Sequence, residues 1–81
     1  MEFGIVNEDG EVQSAIFVSH TEMSEFFTAT GKNLGELHDL PVEEARDICL
    51  PVSSRIGELI QEALGLKAIG VDGHRFFAWD S

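Results

Sequence analysis

The chain has 81 residues, 43% of them apolar, and carries fifteen Asp and Glu against five Lys and Arg, a formal net charge of -10 at pH 7. That length makes one domain, residues 1-81, and excludes two independent cores, while six Phe and Trp79 supply burial units large enough to argue against disorder. The charge disfavours bare nucleic acid and anionic lipid as partners and favours basic surfaces. A single cysteine, Cys49, excludes an internal disulfide. With no segment resembling a signal peptide and no apolar run near the ~18 residues a membrane span requires, the expectation is a cytoplasmic protein.

Phe3 to Val6 and Val12 to Ser19 are β-branched and aromatic runs separated by Asn7-Glu8-Asp9-Gly10, whose residues tolerate the positive φ of hairpin turns. They predict a β-hairpin. Ser19 and Glu22 have capping-box spacing, with Thr21 a competing cap; Met23, Phe26, Phe27 and Thr30 then form one helical face that Gly31 ends. Lys32 to Leu40 reads as an ordered loop, because Gly35 interrupts the helical spacing of Leu34, Leu37 and His38.

After an Asp39 cap, Pro41 suits the first position of a second helix whose stripe is Val42, Ala45, Ile48 and Cys49 and whose end is Pro51. Pro51 with Ser53 or Ser54 can open a third, with Ile56, Leu59, Ile60, Ala63 and Leu64 as its core face and Gly65 as its stop. Lys67 to Val71 and His74 to Trp79 flank Asp72-Gly73, the type I′ hairpin signal. The expected fold is therefore α+β: two β-hairpins forming an antiparallel sheet with about three short helices packed on it, in the order ββαααββ.

Little in this pattern points to catalysis. A metal site would require His20, Glu22, His38, Cys49 and His74 to converge from separate elements, without the paired spacing of zinc motifs. Cys49 lies on an apolar stripe, where a thiol behaves as a small inert hydrophobe, and Ser53 and Ser54 are explained as caps. Gly31-Lys32-Asn33 lacks the glycine spacing of a phosphate loop. Lys32, Arg46, Arg55, Lys67 and Arg75 are scattered one per element, which suits local ion pairs better than a nucleic-acid footprint. The reading is a protein without enzymatic activity, metal or cofactor.

The acid pattern is more specific. Glu36, Asp39, Glu43, Glu44 and Asp47 fall within twelve residues opposed only by Arg46. On an α-helix Glu43 and Asp47 would be one turn apart, at a cost of about 0.2 to 0.5 kcal/mol. The helix dipole offsets part of that cost, and solubility accounts for some of the rest. Glu8, Asp9 and Glu11 bracket the first turn as a second patch, and no Lys or Arg precedes Lys32. Such an excess favours a cationic partner, a basic protein or nucleoprotein complex whose phosphate-binding Arg and Lys these carboxylates would occupy. In the last strand Phe76 and Ala78 face one side and Phe77 and Trp79 the other, which leaves one aromatic pair available for an interface.

In size, charge and the scarcity of catalytic motifs the chain resembles small phage-encoded anti-defence proteins, among them anti-CRISPR proteins and nucleic-acid mimics. The resemblance covers composition, not any motif. It implies a protein-binding inhibitor that blocks a nucleic-acid site. An antitoxin or immunity-type inhibitor of a basic nuclease would need the same electrostatics, and a homodimeric assembly module would use the exposed aromatic residues instead.

Overall fold

The computed structural model describes residues 1-48 and 55-80. The expected roles of Cys49, Pro51, Ser53 and Ser54 lie outside the described residues. The elements in chain order are β1 (Glu2–Val6), β2 (Val12–Phe17), α1 (His20–Thr30), a first 3-10 turn (Leu34–Leu37), a second 3-10 turn (Val42–Asp47), α2 (Arg55–Ala68) and β3 (Arg75–Trp79). Three antiparallel strands in the order β2-β1-β3 carry the helical segments, an α+β arrangement.

The first hairpin is built by local chemistry. The Asn7 carboxamide accepts from the amides of Asp9 and Glu11 at 3.0 and 2.9 Å, and Gly10 takes φ 81°. Pairing of Ile5 with Ser14 but Val6 with Val12 leaves Gln13 as a bulge in β2. Ser19 then caps α1 through a complete capping box with Glu22, and Gly31 closes it at φ 74° with its N–H on the Phe27 carbonyl, 2.7 Å away.

The segment from Pro41 departs from the expected α-helix. Pro41 is extended (φ -58°, ψ 141°) because it bridges Arg75, and the hydrogen bonds after it run from residue i+3 to i: Glu44 N–H to Pro41 and Ile48 N–H to Ala45. Three residues per turn place Val42, Ala45 and Ile48 on one buried line. Asp39 does not cap; it sits at φ 64° with its carboxylate turned to His38 and Arg75. Lys32 to Leu40, expected as a loop, contains the 3-10 turn that buries Leu34 and Leu37, again three apart.

The second hairpin is also corrected. α2 runs through Gly65 to Ala68 and ends in a Schellman motif at Gly70 (φ 86°), where the amides of Val71 and Gly70 reach the carbonyls of Leu66 and Lys67. Residues assigned to a fourth strand are thus helix and cap. Gly73 keeps the positive φ of the expected turn, 86°, but the chain on its N-terminal side is not a strand. β3 pairs with β1, and its other edge is closed by residues 39-42: Phe76 exchanges hydrogen bonds with Asp39 and Leu40, and the Val42 amide reaches the His74 carbonyl.

Phe3, Ile5 and Phe76 form the inner face of the sheet, with the Phe3 and Phe76 rings stacked at 5.5 Å between centroids. Against them pack Phe26, Leu34, Leu37, Val42, Ile56 and Ile60. The outer face has no helix over it among the described residues. Phe77 lies across Gly4 and is covered by Trp79 at 4.4 Å, while Phe17, Val12 and half of Trp79 are exposed.

Candidate functional site

The winding of the second 3-10 turn decides which carboxylates act together. With three residues per turn, Glu44 and Asp47 share one side, and Glu43 shares the other with Arg46. The α-helical pairing of Glu43 with Asp47 is therefore not formed. Glu44 and Asp47 meet Glu36 around a depression of about 280 Å³ whose floor includes Leu37 and Leu40 and whose rim carries Lys32. Glu36 is held there because its carboxylate accepts from the Asn33 amide at 2.6 Å.

On the opposite side Glu43, Asp39 and Asp72 surround a second depression of about 270 Å³ that also contains Lys67 and Arg75. These cations are engaged. Arg75 Nε lies 3.4 Å from Asp39, and Lys67 donates to Asp72, which raises the lysine pKa above its usual 10.5, with Glu43 adding to the effect. Glu8 joins the first hairpin to this side: its side chain packs on Gly73 so closely that a Cβ there would fall 2.6 Å from the Glu8 Cδ. Glu8 thus adjoins the Asp39–Glu43 group through the 72-73 loop, and Asp9 and Glu11 follow it in the same turn. Glu8, Asp9, Glu11, Glu36, Glu43, Glu44 and Asp47 form no ion pair among the described residues. All are exposed.

The histidines occupy unlike settings. His20 is exposed at the start of α1, His38 contacts Asp39 at 3.5 Å, and His74 is buried with no hydrogen-bond partner on Nδ1. Among the described residues no three His, Cys, Asp or Glu are placed to hold a metal ion. No described helix is long and apolar enough to cross a membrane.

Two features escaped sequence reasoning. Arg55 bridges three elements, donating to Glu22 Oε1 at 2.9 Å and to the Phe17 carbonyl, and it lowers the Glu22 pKa below 4.5 chiefly through that hydrogen bond. Glu58 and Glu62 line a groove between β2 and α2. Their spacing of four was legible, but which strand they faced was not. Comparison with protein-family models, curated proteins and solved structures finds no match to this chain. The class it can be assigned is therefore architectural: a small acidic α+β domain with a three-stranded antiparallel sheet.

Proposed function

We propose that this protein is a non-enzymatic, cytoplasmic inhibitor that binds a basic surface of another protein or nucleoprotein complex and blocks the nucleic acid held there, in the manner of phage anti-defence proteins of the anti-CRISPR type. The observation that carries the reading is the convergence of Glu36, Glu44 and Asp47 on one exposed depression, with Glu43, Asp39 and the Glu8–Glu11 turn continuing the acid surface around its neighbour. Glu36, held by the Asn33 amide, presents its charge with little ordering cost, and the 3-10 winding fixes the backbone positions of Glu44 and Asp47, which suits the group to Arg and Lys sites meant for phosphates. The net charge of -10 steers encounter with such a site and opposes direct contact with nucleic acid or anionic membrane.

The test is affinity capture from host lysate at low and high salt, followed by titration calorimetry against the captured complex. Glu44→Gln with Asp47→Gln and Glu43→Gln is expected to weaken binding at least ~10-fold without lowering the melting temperature, since truncating one side of a buried charge pair costs about 2 kcal/mol or more, while removing unpaired like charges relieves self-repulsion in the free chain. Equal affinity of the folded triple variant would remove the acid face from the interface. A second reading, a homodimeric assembly module, is favoured by the exposed Phe17 and Trp79 on the outer sheet face. It predicts a concentration-dependent dimer by sedimentation that is insensitive to salt.

A further inference from the structure

The two edges of the sheet are unlike. β3 is sealed by residues 39-42, whereas β2 has no strand beyond it among the described residues. Met1 and Val18 exchange backbone hydrogen bonds, so by antiparallel alternation Ile16 and Ser14 point their amides and carbonyls at β1. Ala15 and Phe17 therefore point theirs outward. Arg55 takes the Phe17 carbonyl; among the described residues nothing bonds the Ala15 amide or carbonyl. Of the usual deterrents β2 carries a bulge at Gln13 and the Arg55 guanidinium on Phe17, one on either side of Ala15; Val12–Phe17 itself contains no charged residue and no proline.

Beside this edge runs the groove of about 380 Å³ between β2 and α2, with Glu58 and Glu62 on its helical wall. Ser14 Oγ donates to Glu62 at 2.8 Å, and the groove's one cation, Arg55, is bound to Glu22. A strand added here would send alternate side chains to opposite faces. Those beside Ser14 and Ile16 would lean over Glu58 and Glu62. Those beside Ala15 and Phe17 would extend the outer apolar face formed by Phe17, Val12 and Trp79.

We propose that β2 accepts an extended segment of a partner protein by strand addition, a segment alternating Lys or Arg over the β2–α2 groove with apolar residues on the outer face. A second copy of this chain fits less well. Two β2 edges paired antiparallel would bring Glu58 and Glu62 of both α2 helices along the same seam, like charge against like charge, in a chain already at -10. The surface is separate from the Glu36–Asp47 face and does not rest on the inhibitor reading.

The probe is a capped octapeptide of alternating Lys and Val, measured by fluorescence anisotropy and by amide hydrogen exchange of the full chain. Binding is expected to slow exchange of the Ala15 amide at least ~10-fold, and a peptide of the same composition with its Lys and Val in blocks is expected to bind at least ~10-fold more weakly. N-methylation of either all Lys or all Val amides provides a test that leaves the protein unchanged. One set faces the edge and abolishes binding; the other is tolerated. Glu58→Gln with Glu62→Gln is expected to weaken binding ~10-fold and flatten its salt dependence. Indifference to which set is methylated, or binding without protection of Ala15, would overturn the proposal. So would a dimer that Ala15→Pro converts to monomer, which would assign the edge to a second copy. None of these outcomes bears on the Glu43, Glu44 and Asp47 variants, so the two readings fail separately.

Discussion

Two glycines show how much one hydrogen atom in place of a side chain decides. Gly4 is the point on β1 where the Phe77 ring crosses the sheet, and a Cβ there would sit 2.7 Å from the ring and closer still to the Ser14 carbonyl. Neither neighbour can yield, since one is backbone and the other is fully packed under Trp79. Gly4→Ala is expected to destabilise the fold by about 2 kcal/mol or more, the scale of overpacking, read as a lower urea midpoint. Gly65 is the opposite case. It lies inside α2 with nothing within 4 Å of an added Cβ and no positive φ, so Gly65→Ala is expected to stabilise by about 0.5 to 1 kcal/mol through helix propensity. A loss of stability in that variant would mean that the helix end is strained.

At the scale of elements, the fold depends on side chains that tie one segment to another. Arg55 at the start of α2 holds α1 through Glu22 and β2 through the Phe17 carbonyl. Because Glu22 titrates below 4.5 in the folded chain, the unfolded chain binds its proton more readily. Its contribution to stability is present above pH 4.5 and is lost as pH falls through the lower folded value. Glu22→Gln is therefore expected to flatten the fall in stability below pH 4.5 while leaving the slope near neutrality unchanged, a comparison made by urea unfolding across pH 2.5 to 7. An unchanged acid limb would assign that fall to other carboxylates. The second 3-10 turn is held differently, by the burial of Val42, Ala45 and Ile48 and by the bond from Val42 to His74. Its acids are displayed by that winding, which is why Glu44 pairs in space with Asp47 and Glu43 turns toward Lys67.

For the molecule as a whole, the charge is both a device and a burden. With a radius of gyration of 11.6 Å, every carboxylate lies within the screening length of most others at ~0.01 M salt, about 30 Å, but not at ~0.15 M, about 8 Å. The melting temperature is therefore expected to rise with sodium chloride across that range, as self-repulsion is screened faster than the three Lys or Arg ion pairs among the described residues are weakened. A falling melting temperature would show that those ion pairs outweigh the repulsion.

Much of this architecture was legible from local chemistry. The Asn7–Gly10 turn, the Ser19–Glu22 capping box, the Gly31 stop and the core stripe of α2 each depend on groups within a few residues of one another, and each is formed. So is the division of Phe76 from Phe77 across the sheet, because side-chain alternation is a property of any strand. Asp72-Gly73 misled because its positive φ is needed in a loop after a Schellman cap as much as in a hairpin. The stripe of Val42, Ala45 and Ile48 fits a three-residue period as well as a helical one, and the choice fell to Pro41 bridging Arg75 more than thirty residues away. The sequence alone determined the chain's charge, the Asn7–Gly10 turn, the Ser19 and Gly31 caps of α1 and the buried face of α2, but not the Asp39 cap, the Gly65 stop or the face of α1, where Phe27 is half exposed. Only the tertiary structure decided which acids stand together, which strand edge is sealed and which is left unpaired among the described residues, because those depend on distant segments competing for the same backbone hydrogen bonds and the same buried space.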